Sequence, residues 1–175
     1  MAVRLEGAVE LRKALRAYTP DLAKSLQVEM AAALKPVVKQ AREYLPRPDQ
    51  VPSNWSIKNK RPNARFPYYD FALARRGIRY KTSPSKANRR GFRALASILN
   101  TSAAGAIFET AGRKSPDSVF VRNIRNKFGS ELKGDGKMQG RAMFRAYEEN
   151  AGAAQDGVIR AIENASDKFK AATRV

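Results

Sequence analysis

A long amphipathic stripe near the start of the chain constrains the fold more than any other feature. Within residues 19–46, apolar side chains recur at spacings of three and four: Leu22, Leu26, Met30, Leu34, Val37, Val38, Ala41 and Leu45. This spacing places them on one face of an α-helix. Thr19 suits the N-cap, Pro20 suits the first helical position, and Pro46 ends the pattern. The sequence therefore predicts a helix over residues 19–45, which needs an apolar surface to lie against.

Pro36 falls inside this predicted helix. A proline removes one backbone donor and crowds the carbonyl four residues earlier, so it kinks or breaks a helix. The apolar stripe continues in phase across Pro36, which favours one kinked helix over two helices broken at Lys35.

Two further segments have helical spacing. Residues 140–171 carry a second long stripe, and residues 8–18 carry a shorter one that precedes Thr19. Within the second stripe, Gly152 and Gly157 each weaken the helix by about 1 kcal/mol relative to Ala, so packing must hold it. Residues 3–5 predict a short strand.

Strand-like segments lie between the two long helices. Residues 77–112 alternate in part between apolar and polar side chains and predict two or three antiparallel strands, with the basic stretch 84–90 as a hairpin tip. Residues 119–121 predict one more strand. Residues 46–76 and 112–139 are rich in breakers and predict extended loops.

The predicted fold class is α+β. A long N-terminal helix and a C-terminal helix pack on a small antiparallel sheet, with long basic loops, in a single domain spanning residues 1–175. The chain has no apolar run long enough for a membrane span, and its first residues lack the apolar core of a signal peptide.

Catalytic residue types are scarce. The chain has no cysteine and no histidine, which excludes disulfides, thiol nucleophiles and histidine-based triads. Pro116-Asp117 followed by Glu131-Leu132-Lys133 matches the letters of a metal-dependent nuclease signature, but Glu131 lies among glycines rather than on a rigid strand. We therefore expect a protein that is not an enzyme and that holds no cofactor or metal.

The charge is large and uneven. The formal net charge is +18, from 34 basic and 16 acidic residues, and residues 51–100 hold a dense basic cluster with Asp70 as their one acidic residue. Such a field suggests an acidic protein surface, a nucleic acid, or a solvated face with no dedicated ligand. Like charges destabilise a compact monomer, so this density favours contacts with a partner.

Aromatic side chains interleave with these charges. They can form a platform for single-stranded nucleic acid, or they can anchor a loop on a core or on a partner, and the second use is favoured because no nucleic-acid module surrounds them. The predicted partner and assembly contacts are Trp55, Arg61, Arg65, Phe66, Tyr68, Tyr69, Phe71, Arg75, Arg76, Arg79, Arg89, Arg90 and Arg93.

Several short motifs resemble one protein family. They are the helix and turn from Ala33-Leu34-Lys35-Pro36 to Tyr44-Leu45-Pro46, the segment Ala106-Ile107-Phe108-Glu109-Thr110-Ala111-Gly112-Arg113, and the segment Arg141-Ala142-Met143-Phe144-Arg145-Ala146. On these residues the chain resembles the small tail-component, or neck (head–tail joining), family of long-tailed, siphovirus-type bacteriophages. The basic, aromatic stretch at residues 58–76 is additional to the family's pattern.

The resemblance implies a virion structural protein at the head–tail junction, made in the host cytoplasm. Such a protein forms a homo-oligomeric ring at the head–tail connector or the top of the tail, and it contacts other connector, stopper or tail-tube proteins close to the genomic DNA. The alternative function is sequence-independent nucleic-acid binding, and a nuclease is a third reading.

Overall fold

The computed structural model describes residues 7–51, 55, 67–114, 117–129, 132–134 and 138–173. Within these residues the chain forms six helices and a two-stranded antiparallel sheet, so the predicted α+β class is confirmed. The helices are α1 (Ala8–Tyr18), α2 (Pro20–Glu43), α3 (Phe71–Gly77), α4 (Ala103–Thr110), α5 (Val119–Phe128) and α6 (Met143–Thr173). The strands are β1 (Ile78–Lys81) and β2 (Ser97–Asn100). The strand predicted for residues 3–5 lies outside the described residues.

Helix α2 confirms the interpretation of the first stripe. It runs without interruption through Pro36, so the prediction of one helix rather than two is confirmed. Its apolar stripe faces inward, because all of its predicted members except Leu22 are buried. Helix α6 likewise follows the second predicted stripe over nearly its whole length.

The chain forms two compact units, one of which comprises the described residues up to Pro36, residues 80–97, and those from Asn150 onward. Apolar side chains of α1, α2 and α6 form its core: Ala8, Leu15, Ala23, Leu26, Met30, Ala161, Ile162 and Ala165. Leu95 and Ala96, from the segment before β2, pack against this core. The buried Arg12 guanidinium donates to the Thr82 carbonyl, which ties α1 to the segment after β1. Burial lowers the pKa of Arg12, and the neighbouring Arg16 cation lowers it further.

The two glycines inside α6 differ in their surroundings, which gives opposite expectations for replacing them. A Cβ at Gly152 would meet no atom within 4 Å, so Gly152→Ala should raise the free energy of unfolding by about 1 kcal/mol through helix propensity. A Cβ at Gly157 would lie 2.7 Å from the Cβ of Ala33, so Gly157→Ala should lower it by about 1 kcal/mol or more. Urea unfolding of the two variants measures both changes in the free energy of unfolding. If the two alanines stabilised the chain equally, α6 would not pack closely on α2 at Gly157 and Ala33.

The second unit comprises Val37–Arg79 and Ile98–Glu149. Trp55 packs edge-on against Tyr69 and Phe120, with ring centroids 5.0 and 5.1 Å apart. The Trp55 Nε1 donates to the Pro67 carbonyl at 2.8 Å, and the Tyr69 hydroxyl donates to the Pro46 carbonyl at 2.8 Å. Burial raises the pKa of Tyr69, so its hydroxyl stays a donor.

A buried carboxylate joins two helices of this unit. Glu109, near the end of α4, is 2% exposed, and its two oxygens accept the backbone N–H groups of Ala142, Met143 and Phe144 at 2.8–2.9 Å. These N–H groups belong to the start of α6 and have no partner within their own helix. A carboxylate is also favoured there by the helix dipole. Glu109 is therefore the N-terminal cap of α6.

Arg141 supplies the reverse connection. It precedes α6, is 5% exposed, and donates through one guanidinium nitrogen to the carbonyls of Phe108 and Ala111 at the end of α4. These carbonyls are among those that a helix end leaves unpaired. Burial lowers the pKa of Arg141, nearby Arg125 lowers it further, and Glu109 opposes this effect. We call this exchange of caps between α4 and α6 the reciprocal cap.

Three local predictions were wrong. The last part of the segment 77–112, predicted to form strands, is helix α4. The strand predicted at 119–121 is the first turn of α5, and the extended loop predicted for 46–76 ends in α3. Each helix is started by a side-chain cap that accepts a backbone N–H three residues later: Ser102 from Gly105, Ser118 from Val121, and Asp70 from Leu73. The caps and the helical burial pattern outweigh the strand propensity of these short apolar runs.

The boundaries of two further segments were also wrong. The strands predicted within 77–112 are short, since β1 covers Ile78–Lys81 and β2 begins only at Ser97. Helix α5 lies within residues 112–139, which the sequence predicts to be an extended loop. The basic stretch 84–90 does connect β1 to β2, as predicted. The prediction of one domain over residues 1–175 stays a prediction.

Candidate partner-binding surface

The first predicted contact region is built on α3 and the start of β1. The Asp70 carboxylate caps α3 by accepting the N–H of Leu73 at 2.9 Å. At the other end of the helix, a Cβ on Gly77 would lie 2.8 Å from the Cβ of Ser102, so only glycine allows this approach to the start of α4. The Arg42 guanidinium donates twice to the Ile78 carbonyl, at 3.0 and 2.8 Å, which fixes the first residue of β1.

This framework holds three exposed arginines, namely Arg75 and Arg76 in the last turn of α3 and Arg79 on β1. We call them, with the side chains of Tyr68 and Leu73, the α3 surface. A groove of about 450 Å³ runs beside it, lined among others by Tyr68, Asp70, Leu73, Arg76, Arg79 and Ser102. Leu73 is 42% exposed and adds an apolar contact to the charged rim. Arginine forks bind carboxylates in pairs of hydrogen bonds, so the α3 surface suits an acidic protein segment with an apolar side chain.

The second predicted contact region is the connection between β1 and β2. Residues 85–93 are all exposed and include Lys86, Arg89, Arg90 and Arg93. We call residues 85–93 the basic tip. No described Asp or Glu lies within ion-pair distance of these four cations. The tip therefore presents four charges that the described part of the chain does not neutralise.

The backbone of the basic tip is held by its own polar groups. The Asn88 side-chain oxygen accepts the N–H groups of Arg90 and Phe92, each at 2.9 Å, and the Asn88 N–H donates to the Phe92 carbonyl at 2.9 Å. Ser85 and Ala94 are joined by a backbone hydrogen bond of 2.8 Å and by a second one from the Ala94 N–H to the Ser85 hydroxyl. Gly91 has φ of 74°, a conformation that favours glycine. The tip thus has a defined conformation without a partner.

The aromatic members of the predicted contact set behave differently from the arginines. Trp55 and Tyr69 are buried in the core of their own unit and do not reach the surface. Tyr68 and Phe71 are half-buried. Of the two uses that the sequence left open for these aromatics, anchoring on the chain's own core therefore applies to Trp55 and Tyr69. Arg61, Arg65 and Phe66 lie outside the described residues. That the exposed arginines make partner contacts stays a prediction.

A second cleft, of about 370 Å³, lies in the same unit near Tyr44, Lys127 and Arg145. The three cations that line it, Lys127, Arg141 and Arg145, already have partners. The Arg145 guanidinium lies 4.1 Å from the Tyr44 ring centroid and donates to Glu149 at 3.0 Å, and the Lys127 ammonium donates to the Val51 carbonyl at 3.2 Å. Hydrogen bonds from Tyr44 and Arg145 lower the pKa of Glu149. This cleft is therefore a weaker candidate than the α3 surface.

The structure describes two residues of the nuclease signature, Asp117 and Lys133. Asp117 is exposed just before α5, and Lys133 pairs with Gly140 in an isolated bridge, while Glu131 lies outside the described residues. Within the described residues, no group of three or more acidic, histidine or cysteine side chains could hold a metal ion. Among the described helices, none has the length and apolarity that a membrane span requires.

Comparison of the chain with family models, with curated proteins and with solved structures finds no match to any of them.

Proposed function

We propose that this chain is a virion structural protein of the phage head–tail junction. In this role it forms an oligomeric ring at the head–tail connector or the top of the tail and aids tail attachment. Its partners are further copies of itself and other connector, stopper or tail-tube proteins.

The reciprocal cap is the observation that carries this proposal. Two of the segments on which the family resemblance rests, 106–113 and 141–146, are far apart in the sequence. Glu109 of the first caps α6, and Arg141 of the second caps the end of α4. The residues that the resemblance singles out are thus the residues that hold α4 to α6, which supports a structural role for these two motifs.

The α3 surface supports an assembly role. Its arginines are exposed and it borders a groove with an exposed leucine, whereas the residues beneath it are fixed by Arg42 and by the packing of Gly77 on Ser102. A rigid, cationic and partly apolar surface suits docking on an acidic protein subunit, because charge complementarity guides association and the apolar contact adds affinity.

Replacing Arg75 and Arg76 with Ser tests this function. In phage that carry the variant, we expect joined particles to fall by about tenfold or more, because losing a close charge pair at an interface costs 2 kcal/mol or more. Electron microscopy of lysates counts free heads, free tails and joined particles. The matched control is Arg16→Ser with Lys24→Ser, which removes the same charge from exposed positions on α1 and α2. Normal joining by the α3 variant, with its circular dichroism unchanged, would argue against the proposed function.

A second candidate function, sequence-independent nucleic-acid binding, is favoured by the basic tip, whose four cations lie within eight consecutive residues and have no described counter-charge.

A further inference from the structure

We propose that the basic tip is a binding element for duplex DNA that contacts the phosphate backbone without regard to sequence. The proposal rests on the tip itself and holds whether or not the chain acts at the head–tail junction. It assigns different partners to the two basic regions: a protein to the α3 surface and a polyanion to the basic tip.

The charge around the tip is of one sign. Between Asp70 and Glu109 the sequence contains no acidic residue. Lys81, at the end of β1, is also exposed and continues the positive charge toward the tip. The cations of the tip therefore repel one another, and a row of phosphates, one negative charge per 1.7 Å of duplex axis, would relieve this repulsion.

The tip has little of what a protein interface needs. Interfaces between proteins have an apolar centre, and energetically important contacts fill desolvated pockets there. The tip offers a single large apolar side chain, Phe92, which is 43% exposed, and all nine of its residues are exposed. Phosphate contacts need no apolar centre, so the composition favours DNA over an acidic protein. One aromatic ring is also too few for the stacked platform that single-stranded binding uses.

The conformation of the tip is set before binding. The hydrogen bonds of Asn88 and Ser85 and the positive φ of Gly91 hold the backbone. Binding then requires ordering of the long side chains but not of the loop, which lowers its entropic cost. Arginine forks match phosphate oxygens well, and three of the four cations are arginines.

The test measures the affinity of the purified full chain for a fluorescent 30-base-pair duplex at several salt concentrations. The tip variant replaces Lys86, Arg89, Arg90 and Arg93 with Ser. We expect at least a tenfold loss of affinity at low salt and a salt slope smaller by about 3.6, since each phosphate contact contributes about 0.9. Scrambling the duplex sequence should leave the affinity of the natural chain unchanged.

The matched control removes the same charge from other exposed positions of the same unit. It replaces Lys13, Arg16, Arg160 and Lys168 with Ser, which are exposed and, like the tip cations, have no described ion-pair partner. The replaced residues of both variants are exposed, so both variants should keep the circular dichroism of the natural chain. If the control loses as much affinity as the tip variant, binding follows net charge and the tip is not a site.

A third arm measures binding to polyglutamate, the stand-in for an acidic protein surface. Loss of polyglutamate binding by the tip variant with unchanged duplex affinity would overturn the proposal in favour of a protein partner. The head–tail joining assay on Arg75→Ser with Arg76→Ser is scored separately, so failure of the DNA proposal and failure of the proposed function are distinguishable.

Discussion

Replacing Glu109 with Ala is expected to lower the free energy of unfolding by about 3–5 kcal/mol. The change removes three hydrogen bonds to a charged acceptor, each worth about 1.5–3 kcal/mol and not additive. It also leaves the first N–H groups of α6 without a partner in a buried site and removes the negative charge beside the buried Arg141. Because whole domains are stable by only about 5–15 kcal/mol, the variant should be close to unfolding at 37 °C.

Urea unfolding followed by circular dichroism measures this effect. Glu109→Gln keeps the shape of the side chain and one oxygen acceptor, so it should lower the free energy of unfolding by less than Glu109→Ala does. Glu148→Ala is the control, because Glu148 is an exposed glutamate in α6 and should change stability by less than about 0.5 kcal/mol. A loss below about 1 kcal/mol for Glu109→Ala would mean that the carboxylate is not the cap of α6.

Replacing Gly140 with Ala should lower the free energy of unfolding by about 2–3 kcal/mol. A Cβ at this position would lie 1.9 Å from the Glu109 Oε1 and 2.9 Å from a ring carbon of Phe144. The carboxylate would have to leave its position against the α6 N–H groups, and overpacking of a tight site costs energy of this size. Gly140 lies outside the left-handed region, so the effect is steric and not a consequence of backbone strain.

A double-mutant cycle checks this cause. In the Glu109→Ala background the close oxygen is absent, so Gly140→Ala should lose less than it does in the natural chain. Gly152→Ala serves as the comparison, because it adds the same methyl group in open space. If the losses in free energy of unfolding from Gly140→Ala and Glu109→Ala were additive in the double variant, the two residues would not be in close contact.

The long helices could be predicted from the sequence because many apolar residues repeat in phase. Over the predicted helix 19–45, seven of the eight stripe members are buried, so the period alone determined which face turns inward. Short segments carry less of this information. The run Val119-Phe120-Val121 resembles a strand by propensity, although the continuation to Ile124 and Phe128 and the cap at Ser118 follow a helical pattern.

The prediction of a strand for the residues of α4 was wrong for a related reason. Its small apolar residues resemble a strand when read alone, yet Ala103, Ala104 and Ala106 are strong helix formers that follow a serine cap. Those two signals were present in the sequence. The pairing of Glu109 with α6 was not, because it depends on which distant N–H groups the tertiary fold brings to the carboxylate.

The candidate surface could be predicted in part. The arginines of α3 and the basic tip are exposed, as their density and lack of acidic neighbours indicated. Composition did not show that two other members of the predicted contact set, Trp55 and Tyr69, are buried. A tryptophan or tyrosine suits a core and an interface equally well, and the difference lies in hydrogen bonds to Pro67 and Pro46 that no local pattern predicts.

The hydrogen bond from Trp55 to Pro67 joins positions that are 12 residues apart in the chain. Trp55 also packs on Tyr69, whose hydroxyl donates to the Pro46 carbonyl. Two aromatic donors of one core thus hold the carbonyls of two prolines, residues that have no N–H of their own to fix them in place. Removing either donor would leave one of these carbonyls without this partner, so each ring contributes a polar contact as well as its apolar packing.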